Sequence, residues 1–160
     1  MLILEIRVRK AQQKDADTVL YMLGEILKLH HQGRPDLFNE TGSKYSKEEL
    51  LEIFENPSRP VLVAVNEQDD VVGYCFCIVK IADTSALKSI VTLHIDDLYV
   101  DPTLRGKNVG KFLLDHAIDL AKQVGAYNID LNVWEFNENA REFYQHLGFA
   151  TMRRYMEIVL

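Results

Sequence analysis

Cysteine, proline and tryptophan are scarce in this chain, with two, four and one among 160 residues. Cys75 and Cys77 stand two apart in an apolar run, where a strand places both on one face without the geometry to bridge them. That excludes a disulfide-stapled scaffold and predicts two reduced sheet residues; a metal site would need further ligands, and none is expected. A long apolar run is also missing. The opening MLILEIRVRK alternates apolar with charged residues, unlike a signal peptide or a membrane span, so the expectation is a cytoplasmic protein without membrane contact. There is no excess of positive charge either. A formal net charge of -6 argues against broad binding to nucleic acid, which takes clustered Lys and Arg, and mildly favours a cationic substrate.

What is present is an ordinary globular composition, 48% hydrophobic and 26% charged, without repeats or low-complexity tracts. The length fits one domain spanning 1–160. Ile6 and Val8 mark a first strand. Asp15 to His31 follows at helical spacing, with Val19, Leu20, Leu23, Ile26 and Leu27 on one stripe. After the loop HQGRPDLFNETG, Ser46 and Glu49 stand at capping-box spacing ahead of a second helix, which Pro57 and Pro60 end. VLVAVNEQDDVVGYCFCIVK predicts an antiparallel hairpin turning at Asn66 to Asp70, and IVTLHIDDLYV a further long strand closed by Asp101-Pro102. A helix carrying Val109, Phe112, Leu113, Ala117 and Ala121 then runs to Gly125. Strand NIDLNVWEF, helix NENAREFYQHLG and strand FATMRRYMEIVL complete a mixed α/β chain with a strand-helix-strand crossover in its second half.

RGKNVGKFLL, residues 105–114, joins a strand to a glycine-bearing helix start, where unpaired N–H groups and the positive dipole end receive anions. It is no nucleotide P-loop: Gly106 and Gly110 have three residues between them where four are needed, and Phe112 follows Lys111 where Ser or Thr is needed. Nor does it have the three glycines of a dinucleotide fingerprint after a first strand.

Its neighbours are more specific. LYVDPTLRGKNVGKFLL resembles the acetyl-CoA-binding signature of the GNAT superfamily of N-acetyltransferases, and NENAREFYQHLGF, about thirty residues on, resembles that superfamily's second signature. The resemblance implies a GNAT fold: a mixed central sheet of about six to seven strands, splayed at its centre, flanked by about four helices. It also implies a pyrophosphate held by the N–H groups of Asn108, Val109, Gly110 and Lys111, with Arg105, Gly106 and Lys107 completing the loop. Leu98, Tyr99 and Val100 would line the pantetheine arm, and Asn137 would contact the cosubstrate from across the splay. One position departs from the pattern, since Asn108 stands where the family usually has glycine; asparagine tolerates a left-handed backbone, so the turn is expected to form.

Acetyl transfer to an amine needs an unprotonated nucleophile, a donor for the thioester oxyanion and a proton for the leaving thiolate. By resemblance, the oxyanion donor is a backbone N–H near Tyr99 or Val100, and Tyr144 protonates the thiolate beside the cosubstrate. His94, Asp96 and Asp97 lie just upstream as candidate bases, with Asp96 the first choice, Asp97 depending on where a bulge falls, and Glu135 in reserve. Residues 30–40, Trp134 and Tyr155 are candidates to border the acceptor groove. The expected activity is direct transfer from acetyl-CoA to a primary amine of a small molecule or protein. The alternative is a non-catalytic acyl-CoA-binding sensor, supported by Asn108 alone. The last strand offers itself for pairing across a homodimer.

Overall fold

Alternating segments of the sequence build one sheet in the computed structural model, which describes residues 5–160. Its strands are β1 (Arg7–Lys10), β2 (Val61–Val65), β3 (Val71–Ile81), β4 (Val91–Val100) and β5 (Asn128–Leu131), side by side in chain order. Neighbours are antiparallel except β4 and β5, which are parallel. Four helices cover the two faces: α1 (Ala16–Gly33) and α2 (Lys47–Glu55) one of them, α3 (Val109–Gln123) the other, with α4 (Glu138–His146) beyond β5 in sequence. The first four residues of the opening decapeptide lie outside the described range.

The turn chemistry works as read. Ser46 Oγ accepts from Glu49 N and the Glu49 carboxylate accepts from Ser46 N, which closes the capping box that starts α2. In the β2–β3 turn, Asn66 Oδ1 accepts from the N–H groups of Gln68 and Asp70. β4, α3 and β5 form the expected crossover, because parallel strands need an intervening element to return the chain.

Strand alternation divides the core in two. Val61, Val63, Tyr74, Phe76 and Tyr99 face α1 and α2, packing on Val19, Leu23, Leu50 and Ile53. Leu62, Cys75, Cys77, Leu93 and Ile95 face α3, packing on Leu113, Leu114 and Ala117. Each fully buried side chain of this size contributes about 1.5–3 kcal/mol, so these two layers are what hold the helices to the sheet. Both cysteines are buried and reduced, as expected. Cys75 is register partner to Leu98 and lies one strand from the second-half motifs.

Two strand expectations are corrected. Among the described residues the sheet has five strands, not six to seven. NIDLNVWEF pairs only over Asn128–Leu131, so Trp134 and Glu135 lie in the turn before α4. FATMRRYMEIVL is in no strand: residues 150–160 have the alternation of one but form no ladder. Period-two patterning specifies an extended segment and its two faces; it does not supply the neighbouring edge a ladder needs.

Candidate active site

The centre of the site is a one-residue irregularity in β4. Cys77 pairs with Ile95 and Phe76 with Asp97, which leaves Asp96 without an opposing residue. An inserted residue reverses the alternation that follows it. Leu93 and Ile95 face α3 before the bulge, whereas Leu98 and Val100 do so after it. His94, Asp96 and Asp97 are thereby brought to the α1–α2 face together, a grouping that strict alternation forbids.

Their environments differ. Asp96 is ion-paired with Lys44 at 2.7 Å and accepts from the Tyr45 hydroxyl at 3.0 Å, and Arg59 donates to that hydroxyl at 2.9 Å. Although burial opposes ionisation of Asp96, the Lys44 contact prevails and holds its carboxyl below the usual value. Asp97 forms no ion pair among the described residues, and burial raises its carboxyl to about 7 against the pull of Lys44 and with a push from Asp96. The Tyr74 hydroxyl, fully buried on the same face, lies near enough to Asp97 to temper that rise, though it makes no well-aligned hydrogen bond among the described residues. His94 Nδ1 lies 2.6 Å from Asp130, tying β4 to β5 one residue before their pairing ends at Ile95 and Leu131.

β5 ends there while β4 continues to Val100, and beyond that point a cleft of about 530 Å³ opens. Leu98, Tyr99, Val100, Arg105, Gly106, Asn108, Val109, Gly110, Lys111, Asn137 and Tyr144 all line it. Lys107 does not. The cleft also takes Ile26 and Leu29 from α1, Asn139 and Phe143 from α4 and Leu147 at its C-terminal cap, none of them assigned to the cosubstrate from sequence. The α4 residues were readable: Ala140, Phe143, Tyr144 and Leu147 recur at the spacing of one helix face.

At the head of the cleft, Asn108 has φ 64° and ψ 9°, the left-handed conformation expected of it, and α3 begins at the next residue. The N–H groups of Asn108, Val109, Gly110 and Lys111 have no acceptor among the described residues, while Phe112 N returns to Asn108 O. Four free donors at the positive end of a helix suit a pyrophosphate, so the residues present fit a CoA. A Cβ on Gly110 would lie 3.1 Å from the Phe143 ring, so glycine there allows α4 to approach. The Arg105 guanidinium sits 5.6 Å from the Tyr99 ring centroid with Nε donating to Val100 O, which fixes the loop against the strand end. Asn137 Oδ1 caps α4 by accepting from Ala140 N, leaving its amide nitrogen for a ligand. Burial keeps the Tyr144 phenol protonated far above its ordinary range.

Between the C-terminal end of α1 and the turn before α4, His30, Phe38, Trp134 and Phe136 form a ring cluster, with Phe38 and Trp134 centroids 5.2 Å apart. Burial pushes the His30 imidazole down, so it is neutral within that cluster. Tyr155 is fully exposed, and Glu135 points outward toward Arg141. Among the described residues there is no group of three or more His, Cys, Asp or Glu able to hold a metal, and no helix is long and apolar enough to cross a membrane.

The chain matches the model of the acetyltransferase (GNAT) family over residues 24–149. It is similar to the peptidyl-lysine N-acetyltransferase YjaB of Salmonella typhimurium, 28% identical over 93% of this chain and 86% of that one. The Escherichia coli YjaB is 35% identical over 61% of this chain and 54% of its own length. Among solved structures, a single-site mutant of the BH1408 protein from Bacillus halodurans superposes with a TM-score of 0.92 at 25% identity, covering 96% of this chain and 99% of that one. The family match takes in the second half of α1, the bulged strand, the cleft with its free helix amides, and α4. The chain belongs to the GNAT family and is an acetyl-transferring enzyme.

Proposed function

We propose that the protein takes acetyl-CoA into the cleft beside β4 and transfers the acetyl group directly to a primary amine, foremost a lysine side chain, without an acetylated enzyme intermediate. The lysine preference is drawn from the YjaB relatives, which are named for peptidyl-lysine. When bound, the cosubstrate supplies an activated thioester. The amides of Asn108 to Lys111 receive its pyrophosphate, and Leu98 to Val100 flank the arm that leads inward.

Asp97 takes the proton of the incoming ammonium. Its carboxyl, raised to about 7, is ionised in part at neutral pH and basic enough to accept a proton. The sequence put Asp96 first; its ion pair with Lys44 and its lowered carboxyl suit it instead to hold an ammonium in place beside Asp97. The free amine attacks the thioester carbon, and a backbone N–H on the unpaired edge of β4 near Tyr99 or Val100 faces the oxyanion. Tyr144 gives its phenolic proton to the departing sulfur, whose own basicity rises in the same desolvated cleft.

The observation that supports this reading is the bulge at Asp96, which turns the Asp97 carboxyl to the α1–α2 face one residue before the cleft-lining Leu98. The sensor alternative loses its support, because Asn108 adopts the turn conformation of a glycine and leaves the amides free. Release of CoA thiol with lysyl peptides, N-terminal amines and small amines tests the proposal. Amine-dependent release is expected; CoA binding without release with any amine would return the protein to the sensor class.

A further inference from the structure

Lys44 stands in the irregular segment between α1 and α2, and its ammonium lies 2.7 Å from Asp96, the carboxylate that holds the acceptor ammonium in the proposed reaction. The chain's own lysine thus fills the acceptor's seat. Its surroundings are fixed by packing: Tyr45, the next residue, stacks on Phe76 with centroids 5.9 Å apart and donates its hydroxyl to Asp96 at 3.0 Å. The Lys44 ammonium is also within electrostatic reach of α1, where, after burial, its charge is the second influence that lowers the His30 imidazole. The Lys44 side chain is 44% exposed and that of Asp96 20%, so the pair sits at the border of solvent rather than out in it.

An ammonium that takes Asp96 from outside must dislodge Lys44. Asp96 then keeps its Tyr45 hydrogen bond, but Lys44 loses the one ion pair it makes among the described residues. Asp97 is no replacement, because it becomes neutral as it accepts the acceptor's proton. Arg59, which donates to the same Tyr45 hydroxyl, is differently placed, since Glu49 and Glu52 line the groove it occupies over α2. A half-buried cation stripped of its partner is costly, and the cost falls when the arriving molecule brings an anion. We infer that Lys44 determines acceptor specificity: it yields Asp96 to the acceptor's ammonium and pairs with a carboxylate carried beside that amine, so that lysines flanked by Asp or Glu are preferred. The charges then close, with the acceptor lysine on Asp96 and its neighbouring carboxylate on Lys44, whereas a lysine flanked by neutral residues leaves Lys44 unpaired. This inference rests on the acyl-transfer reading and names a substrate class within it.

Steady-state transfer from acetyl-CoA to peptides of one sequence, with Glu, Gln or Arg on both sides of the acceptor lysine, tests it in the full chain and in Lys44→Met. In the parent, kcat/KM is expected to favour Glu over Gln by about fivefold, the value of a modest ion pair, with Arg lowest. Crossing the peptide change with the enzyme change isolates the contact: in Lys44→Met the ratio of Glu to Gln should fall to about one, and in Lys44→Arg it should persist. Equal kcat/KM for the Glu and Gln peptides in the parent, or a preference for Glu that survives in Lys44→Met, overturns the inference and leaves acyl transfer itself standing. No transfer to any peptide or small amine removes the acyl-transfer reading, and this inference with it.

Discussion

The Lys44 ammonium lies 2.7 Å from the Asp96 carboxylate, and the adjacent Asp97 has no such partner among the described residues. Two neighbouring carboxyl groups on one face therefore titrate in opposite directions, one below its ordinary value and one at about 7. Environments that separate two like groups separate their roles.

From this follows a split between two variants. Asp97→Asn is expected to lower kcat by about 10²–10⁴, the range of a lost general base, with little change in the affinity for CoA. Asp96→Asn is expected to raise KM for the amine more than it lowers kcat. Steady-state kinetics with both variants reads the difference, and equal losses in kcat would remove the division of labour.

The pH profile tests the same carboxyl. Asp97 must be ionised to accept a proton, so activity should rise as pH passes about 7 and level off above it. In Asp97→Asn that limb should vanish, leaving only the dependence set by the amine itself.

Stability has the opposite sign. A carboxyl raised from 3.8 to about 7 keeps its proton in the folded protein where the unfolded chain has lost it. Stability due to Asp97 therefore falls as pH rises across that window, and the deficit is complete above it. The Asp97→Asn variant should melt higher than the parent at pH values above 7, with the gap closing toward pH 4. Thermal melts at the two extremes check this; a gap that widens in acid contradicts it.

Asn108 offers a binding prediction. At φ 64° a glycine is unstrained and a β-branched residue is disfavoured by about 1–2 kcal/mol, so Asn108→Gly should retain CoA affinity and Asn108→Val should lose about tenfold. Titration calorimetry with CoA measures both.

Tyr144→Phe keeps the ring that packs between Phe143 and Phe149 and removes the hydroxyl. Its kcat is expected to fall by about 10–100-fold, with CoA affinity nearly unchanged. Undiminished turnover would take the thiolate's proton source elsewhere.

Much of this site was legible because it is local. The Asn108 turn, the capping box of α2 and the Ala140, Phe143, Tyr144, Leu147 face are each set by residues within a few positions of one another. The position of the bulge was not, since nothing in HIDDLYV marks which residue will lack an opposite number; that is decided by how β4 registers on Phe76 and Cys77 of β3. Lys44 escaped notice for a similar reason, reaching Asp96 across 52 positions of chain. Ile26 was read on the apolar stripe of α1, which continues from the sheet onto the cleft without a break, and Leu29 was not placed on that stripe. The final segment shows the converse limit: its alternation was visible, and that it joins no ladder among the described residues was not.

Direct transfer to a lysine amine is tested most plainly by a single turnover, with enzyme in excess of acetyl-CoA, a lysyl peptide added, and every species followed by mass spectrometry. The expected result is acetyl-lysine formed in step with free CoA, no acetyl group on the enzyme at any time, and loss of the reaction in Asp97→Asn. CoA freed ahead of product while the enzyme carries the acetyl group, or no acetylated amine at all, would contradict it.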